Sequence, residues 1–138
     1  MTGIKVGYVV GSLARESINR KLAEALIRLA PDDLAFHEIP IRELPLYSYD
    51  FDDDFPQVAR DFKAGIARSD ALLFVTPEYN RSIPGGLKNA IDWATRPFGE
   101  NALTGKPAAV IGTSPGKIGT ALAQRTLRGI LSYCNAPQ

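Results

Sequence analysis

The stretch ALLFVTPEYNRSIPGGLKNAIDW, residues 71–93, sets the fold in three successive pieces. Residues 71–76 form an apolar run without strict alternation, the pattern of a strand buried on both faces. Residues 77–86 are rich in Pro, Gly, Ser and Asn, the composition of a loop that carries turns. Leu87, Ala90, Ile91 and Ala94 then recur at the spacing of an amphipathic helix. A buried strand, a loop and a helix that packs back on the strand form one unit of a parallel sheet covered by helices.

The same order repeats on either side. Residues 4–10 are apolar and β-branched, and they read as a first buried strand. Ser17 is placed to cap a helix running to about Leu29, with Leu22, Ala25, Leu26 and Leu29 on one face and Pro31 ending it. Residues 34–39 read as a short second strand. Residues 40–56 hold prolines and the acidic run YDFDDDF, and they read as a long ordered connection. Val58, Phe62, Gly65 and Ile66 suggest a helix ending near Ser69. Residues 108–113 read as a fourth strand, and a last helix runs from about Ile118 to Tyr133. No internal repeat or low-complexity tract interrupts the pattern.

Composition narrows the class. The chain has 138 residues, enough for one domain over 1–138 that buries a core without staples. Hydrophobic residues make up 45% and charged residues 22%, an ordinary globular mixture. A formal net charge of +1 gives no general case for nucleic acid or an acidic membrane surface. The single cysteine, Cys134, rules out an internal disulfide and fits a reducing, cytoplasmic setting. The first ten residues read as a strand and not as a signal peptide. No apolar run is long enough to span a bilayer as a helix.

In an open α/β sheet, ligands bind beyond the carboxyl ends of the strands. Three loops leave such ends: residues 11–17, 77–86 and 114–119. In the first, Gly11 allows a close turn, while Ser12, Ser17 and Asn19 bring polar side chains. Arg15, Arg20 and Lys21 gather around the positive end of a helix dipole, where acids are usually favoured. Two readings stand for this loop. It is a phosphate cradle of helix N–H groups, hydroxyls and Arg15, or an ordinary turn with a serine cap and solvated cations.

The second loop offers Pro77, Glu78, Tyr79 and Asn80, with Gly85 and Gly86 behind them. A planar heteroaromatic ring needs this mixture of backbone donors and an aromatic or apolar face. The plainer alternative is a surface tyrosine, a solvated acid and a turn. The third loop, SPGKIG, places Ser114 and Gly116 at another strand end. Its backbone N–H groups suit ring carbonyls, or it is a simple connection with Lys117 in solvent.

Other chemistries lack their residues. Residues 11–17 contain neither G-x-G-x-x-G nor Gly-Lys-Ser/Thr. GTSPGKIGT fails as a nucleotide P-loop, because Ile118 follows Lys117 and Gly112 lies one place too near. His37 is the only histidine and sits in a strand, so a Ser-His-Asp triad is not expected. No Cys/His cluster suggests a metal. Asp50, Asp52, Asp53 and Asp54 read as a solvated acidic loop. Trp93 reads as core, Cys134 as core or incidental, and Asp92 as a helix-surface or partner contact and not a catalytic acid.

Taken together, GSLARESIN and TPEYNRSIPGGLKNAIDW resemble the NAD(P)H-dependent FMN reductase family. That family includes quinone, azo-compound and chromate reductases. The resemblance extends over nearly the whole chain. It implies a flavodoxin-like three-layer αβα sandwich with parallel strand order 2-1-3-4-5. It also implies FMN as cofactor and NAD(P)H as co-substrate. Ser12, Ser17 and Asn19 would hold the FMN phosphate. Many relatives have Arg where this chain has Ala14, and Arg15 would substitute from one place on. Pro77, Glu78, Tyr79 and Asn80 would line the isoalloxazine ring, with Ser114 and Gly116 at its pyrimidine edge. Relatives usually continue through a fifth strand and a closing helix, so this chain is expected to lack both.

The function implied is an NAD(P)H-dependent FMN oxidoreductase that passes electrons to quinone-like or other small acceptors. The chemistry would reside on FMN, with no protein residue strictly required as an acid or base. A homodimer or homotetramer is implied, with FMN near the subunit interface and no nucleic acid or membrane partner. Two alternatives remain at this level. One is an FMN-binding electron carrier without its own NAD(P)H oxidation. The other is a non-catalytic interaction protein on the same scaffold.

Overall fold

The computed structural model describes residues 3–138. Strand and helix alternate along it: β1 (Ile4–Val10), α1 (Ile18–Leu29), β2 (Leu34–Glu38), α2 (Gln57–Ala67), β3 (Ala71–Val75), α3 (Gly85–Ala94), β4 (Ala108–Ile111) and α4 (Ala121–Tyr133). The four strands form one parallel sheet in the order β2-β1-β3-β4. This is the flavodoxin-like order expected for the first four strands. After β2 the chain crosses back over β1, so the loops leaving β1 and β3 open a crevice at the switch in strand order.

The strand side chains explain the layering. Val9, Leu72, Phe74 and Ala108 face a cluster built from Phe62 and Ile66 of α2, Leu87 and Ile91 of α3, and Leu127 and Leu131 of α4. On the other face, Val10 and Val75 pack with Ala23 of α1. Burial on both faces accounts for the lack of strict alternation in β1 and β3. Beyond β4, Ala108 N donates to Pro137 O at 2.7 Å, so the last residues run beside the start of that strand. Among the described residues, no helix is long and apolar enough to cross a membrane.

Three boundaries differ from the sequence reading, each for a local reason. The helix after β2 ends at Ala67 instead of near Ser69, because the Ser69 hydroxyl turns back to donate to Gly65 O at 2.8 Å. The fourth strand stops at Ile111 instead of Thr113. Thr113 N donates to the Asn19 side chain and not to a neighbouring strand. The last helix starts at Ala121 instead of about Ile118, because Gly119 adopts a left-handed φ of +65° that no helix continues through.

The acidic connection also needs correction. Asp52 is not a solvated loop acid. Its carboxylate pairs with the Arg96 guanidinium and accepts the Tyr47 hydroxyl at 2.9 Å. Burial pulls the Asp52 carboxyl up, but Arg96 and Tyr47 outweigh that and hold it below the ordinary carboxylate value. A short 3-10 turn at Tyr49–Phe51 lies within this connection. Tyr47, Phe51 and Phe55 surround the fully buried Trp93, with ring centroids 5.1, 5.4 and 5.0 Å away. Trp93 Nε1 and Asn89 Nδ2 both donate to Pro45 O, at 2.7 and 2.9 Å. The end of the 71–93 stretch, KNAIDW, therefore fastens the long connection to α3. Asp92 pairs with Lys88 on the helix surface at 2.9 Å.

Candidate functional site

The three loops emerge at the same edge of the sheet, and Asn19 after the first and Glu78 in the second each bond to residues flanking the third. Ser17 caps α1, its hydroxyl oxygen accepting from Arg20 N at 3.2 Å. Ser12 Oγ accepts from Ala14 N at 3.3 Å. Both hydroxyls are buried, and each keeps its own O–H free to donate. Among the described residues, the N–H groups of Ser12, Leu13, Arg15 and Glu16 have no protein acceptor. Unsatisfied N–H groups at a helix start form a concavity suited to an anion.

Asn19 is only 2% exposed. Its Nδ2 donates to Thr113 O at 3.0 Å, and its Oδ1 accepts from Thr113 N at 2.9 Å. The amide thus ties the first loop to the third while keeping one N–H uncommitted. Thr113 was not legible as a partner, since a backbone group 94 residues away leaves no mark in local sequence.

The cations at the helix start divide into two kinds. Arg20 is held by Glu38 in a two-pronged pair, at 3.1 and 2.8 Å. Burial and the Glu38 carboxylate push the adjacent Tyr8 phenol up. Lys21 lies 3.9 Å from Glu16. Arg15 is exposed and, among the described residues, has no carboxylate partner. The opposing charge of Glu38 makes Arg20 a structural cation instead of an anion ligand.

In the second loop, Tyr79 and Ser82 exchange backbone hydrogen bonds at 2.9 and 3.0 Å. Asn80 and Arg81 sit between them with φ of 51° and 65°, the mirror-image turn that normally favours Asn and Gly. The turn presents Asn80 and the half-exposed Tyr79 ring outward. Pro77 is half-buried at the strand exit. Glu78 points the other way. Its Oε1 accepts from Leu122 N at 2.9 Å and from Ala123 N at 3.0 Å. A carboxylate on the first N–H groups of α4 satisfies orphan donors and complements the helix dipole. Glu78 therefore joins the second loop to the start of α4, just beyond the third loop, and its backbone is what remains for a ligand.

Ser114 orders the third loop. Its Oγ donates to Gly119 O at 2.9 Å and accepts from Gly116 N at 3.2 Å. Behind it, a Cβ on Gly112 would come within 2.0 Å of Thr76 O and 2.3 Å of Thr120 Oγ1. The exits of β3 and β4 approach so closely there that only glycine fits. Cys134 is buried away from this edge, and burial pushes its thiol up.

The family described as NADPH-dependent FMN reductase matches residues 4–138. A protein of a Burkholderia species named 2-hydroxy-1,4-benzoquinone reductase is 60% identical over 130 residues, covering 94% of this chain and 71% of that protein. A quinone reductase of Pseudomonas putida is 51% identical over 133 residues, covering 96% and 72%. Among solved structures, the flavoenzyme NAD(P)H:(acceptor) oxidoreductase FerB of Paracoccus denitrificans superposes with a TM-score of 0.93. It is 52% identical and covers 96% of this chain and 73% of its own.

Proposed function

The chain belongs to the NADPH-dependent FMN reductase family, and from that premise we propose that it carries electrons from NAD(P)H through bound FMN to a quinone. The acceptor class rests on one observation above others: the Burkholderia relative at 60% identity is named for reduction of a hydroxylated benzoquinone.

The residues present fit FMN. The uncommitted N–H groups of residues 12, 13, 15 and 16, at the positive end of α1, are donors of the sign a phosphate requires. Ser12 and Ser17 donate their free O–H groups to it, and Arg15 supplies an unpaired guanidinium. Asn19 holds this loop against the β4 loop and adds its remaining N–H. Pro77, Tyr79 and Asn80 present the turn against which the ring lies, while Ser114 and Gly116 shape its far edge. Glu78 fixes the separation of these two walls through α4. When bound, FMN would supply the redox chemistry between nicotinamide and quinone. The chain binds, orients and holds the negative charge at the helix start.

The chain acts as a homodimer or homotetramer in the cytoplasm in this reading. Phe98 and Tyr133 support self-association: both are largely exposed beside a groove between α3 and α4. The test of function is steady-state NAD(P)H oxidation in the presence of a hydroxylated benzoquinone. Turnover that requires FMN supports the proposal, and turnover equal with and without FMN contradicts it.

A further inference from the structure

We infer that Arg42 is a second cationic wall of the phosphate loop, supplied from the connection between β2 and α2. The inference rests on the phosphate reading of residues 11–17 given above. Arg42 Nη2 donates to Leu13 O at 2.5 Å, across 29 residues of sequence. Leu13 lies in the middle of the loop whose N–H groups at residues 12, 13, 15 and 16 have no protein acceptor among the described residues. One N–H of the guanidinium is therefore anchored on that loop, and four remain.

The position of Arg42 is set by its neighbours. Ile41 and Leu44 are buried on either side, and Leu44 N donates to Ile41 O at 3.3 Å to close a turn. The backbone at Arg42 is thereby held in place by apolar anchors, and the side chain leaves it toward Leu13. The charge accounting points the same way. Arg20 is held by Glu38 and Lys21 lies near Glu16. Among the described residues, neither Arg15 nor Arg42 has a carboxylate partner. Two unpaired guanidiniums thus converge on one loop from different elements. A phosphate dianion seated on that loop meets Arg15 from the helix side and Arg42 from the Leu13 side. Arg42 also steadies the loop through the Leu13 carbonyl, which keeps the Leu13 and Ala14 backbone in place.

The test titrates the flavin-free full chain with FMN and, separately, with riboflavin, which lacks the phosphate. Binding is read from quenching of flavin fluorescence. Arg42→Gln retains a donor for Leu13 O but removes the charge. It is expected to lower FMN affinity about tenfold and leave riboflavin affinity within about twofold. Its FMN affinity should also depend less steeply on salt, and Arg42→Lys should recover part of the loss. A wild-type chain that binds riboflavin as well as FMN overturns the phosphate reading of the loop itself. An FMN preference undiminished in Arg42→Gln, or a loss shared equally by the two flavins, overturns the role of Arg42 and leaves that reading standing.

Discussion

Asn19 and Thr113 exchange two hydrogen bonds, at 3.0 and 2.9 Å, although 94 residues separate them. One side chain in the first turn of α1 thereby ends β4 and sets the start of the third loop. Asn19→Leu removes both bonds and leaves the Thr113 backbone without them. It should destabilise the chain by about 1–3 kcal/mol. Asn19→Asp keeps an acceptor for Thr113 N but faces Thr113 O and the proposed phosphate cradle with negative charge. It should cost more in FMN affinity than in stability. Thermal unfolding beside FMN titration separates the two, and an FMN affinity untouched by Asn19→Asp would count against the cradle.

Glu78 anchors α4 through Leu122 N and Ala123 N. Glu78→Ala should release both amides and destabilise the chain by about 1–3 kcal/mol, with Glu78→Gln milder because an acceptor remains. Amide hydrogen exchange at Leu122 and Ala123 reads this directly. Protection unchanged in Glu78→Ala would show that the carboxylate does not hold the helix start.

Arg81 adopts a left-handed φ of 65° next to Asn80 at 51°. Glycine accepts that conformation without the Cβ cost. Arg81→Gly should therefore raise stability by about 1 kcal/mol. A lower unfolding midpoint in this variant would mean that the Arg81 side chain contributes more than its backbone strain removes.

Asp52 has its pKa lowered in the fold: burial opposes the shift, and Arg96 and Tyr47 overcome it. For a carboxyl lowered on folding, the stabilisation is complete above the unfolded value, about 3.9, and is lost as pH falls through the folded one. Asp52→Asn should flatten the acid limb of the stability curve below about pH 4, while lowering stability at neutral pH. An acid limb of unchanged slope would assign that limb to other carboxylates.

The sequence patterns that were legible are the local ones. Apolar runs mark β1 and β3, Ser17 marks the start of α1, and helical spacing marks α3 with Trp93 on its buried side. What escaped is set by partners distant in the chain. Nothing near Thr113 announces Asn19, and nothing near Ile118 announces that Glu78 awaits α4. Asp52 looked like its acidic neighbours in YDFDDDF, because the cation that selects it, Arg96, lies on the far side of α3. Arg42 carries no periodicity or motif, and only its hydrogen bond to Leu13 brings it to the site.

The central claim is that one flavin bound at these three loops accepts electrons from NAD(P)H and passes them to a quinone. Anaerobic spectroscopy of the FMN-loaded chain tests it most directly. On addition of NADH or NADPH the oxidised flavin absorbance should bleach, and addition of a benzoquinone should restore it. Flavin that stays oxidised in the presence of both nicotinamides, or that bleaches and is not restored by quinone, would contradict the account.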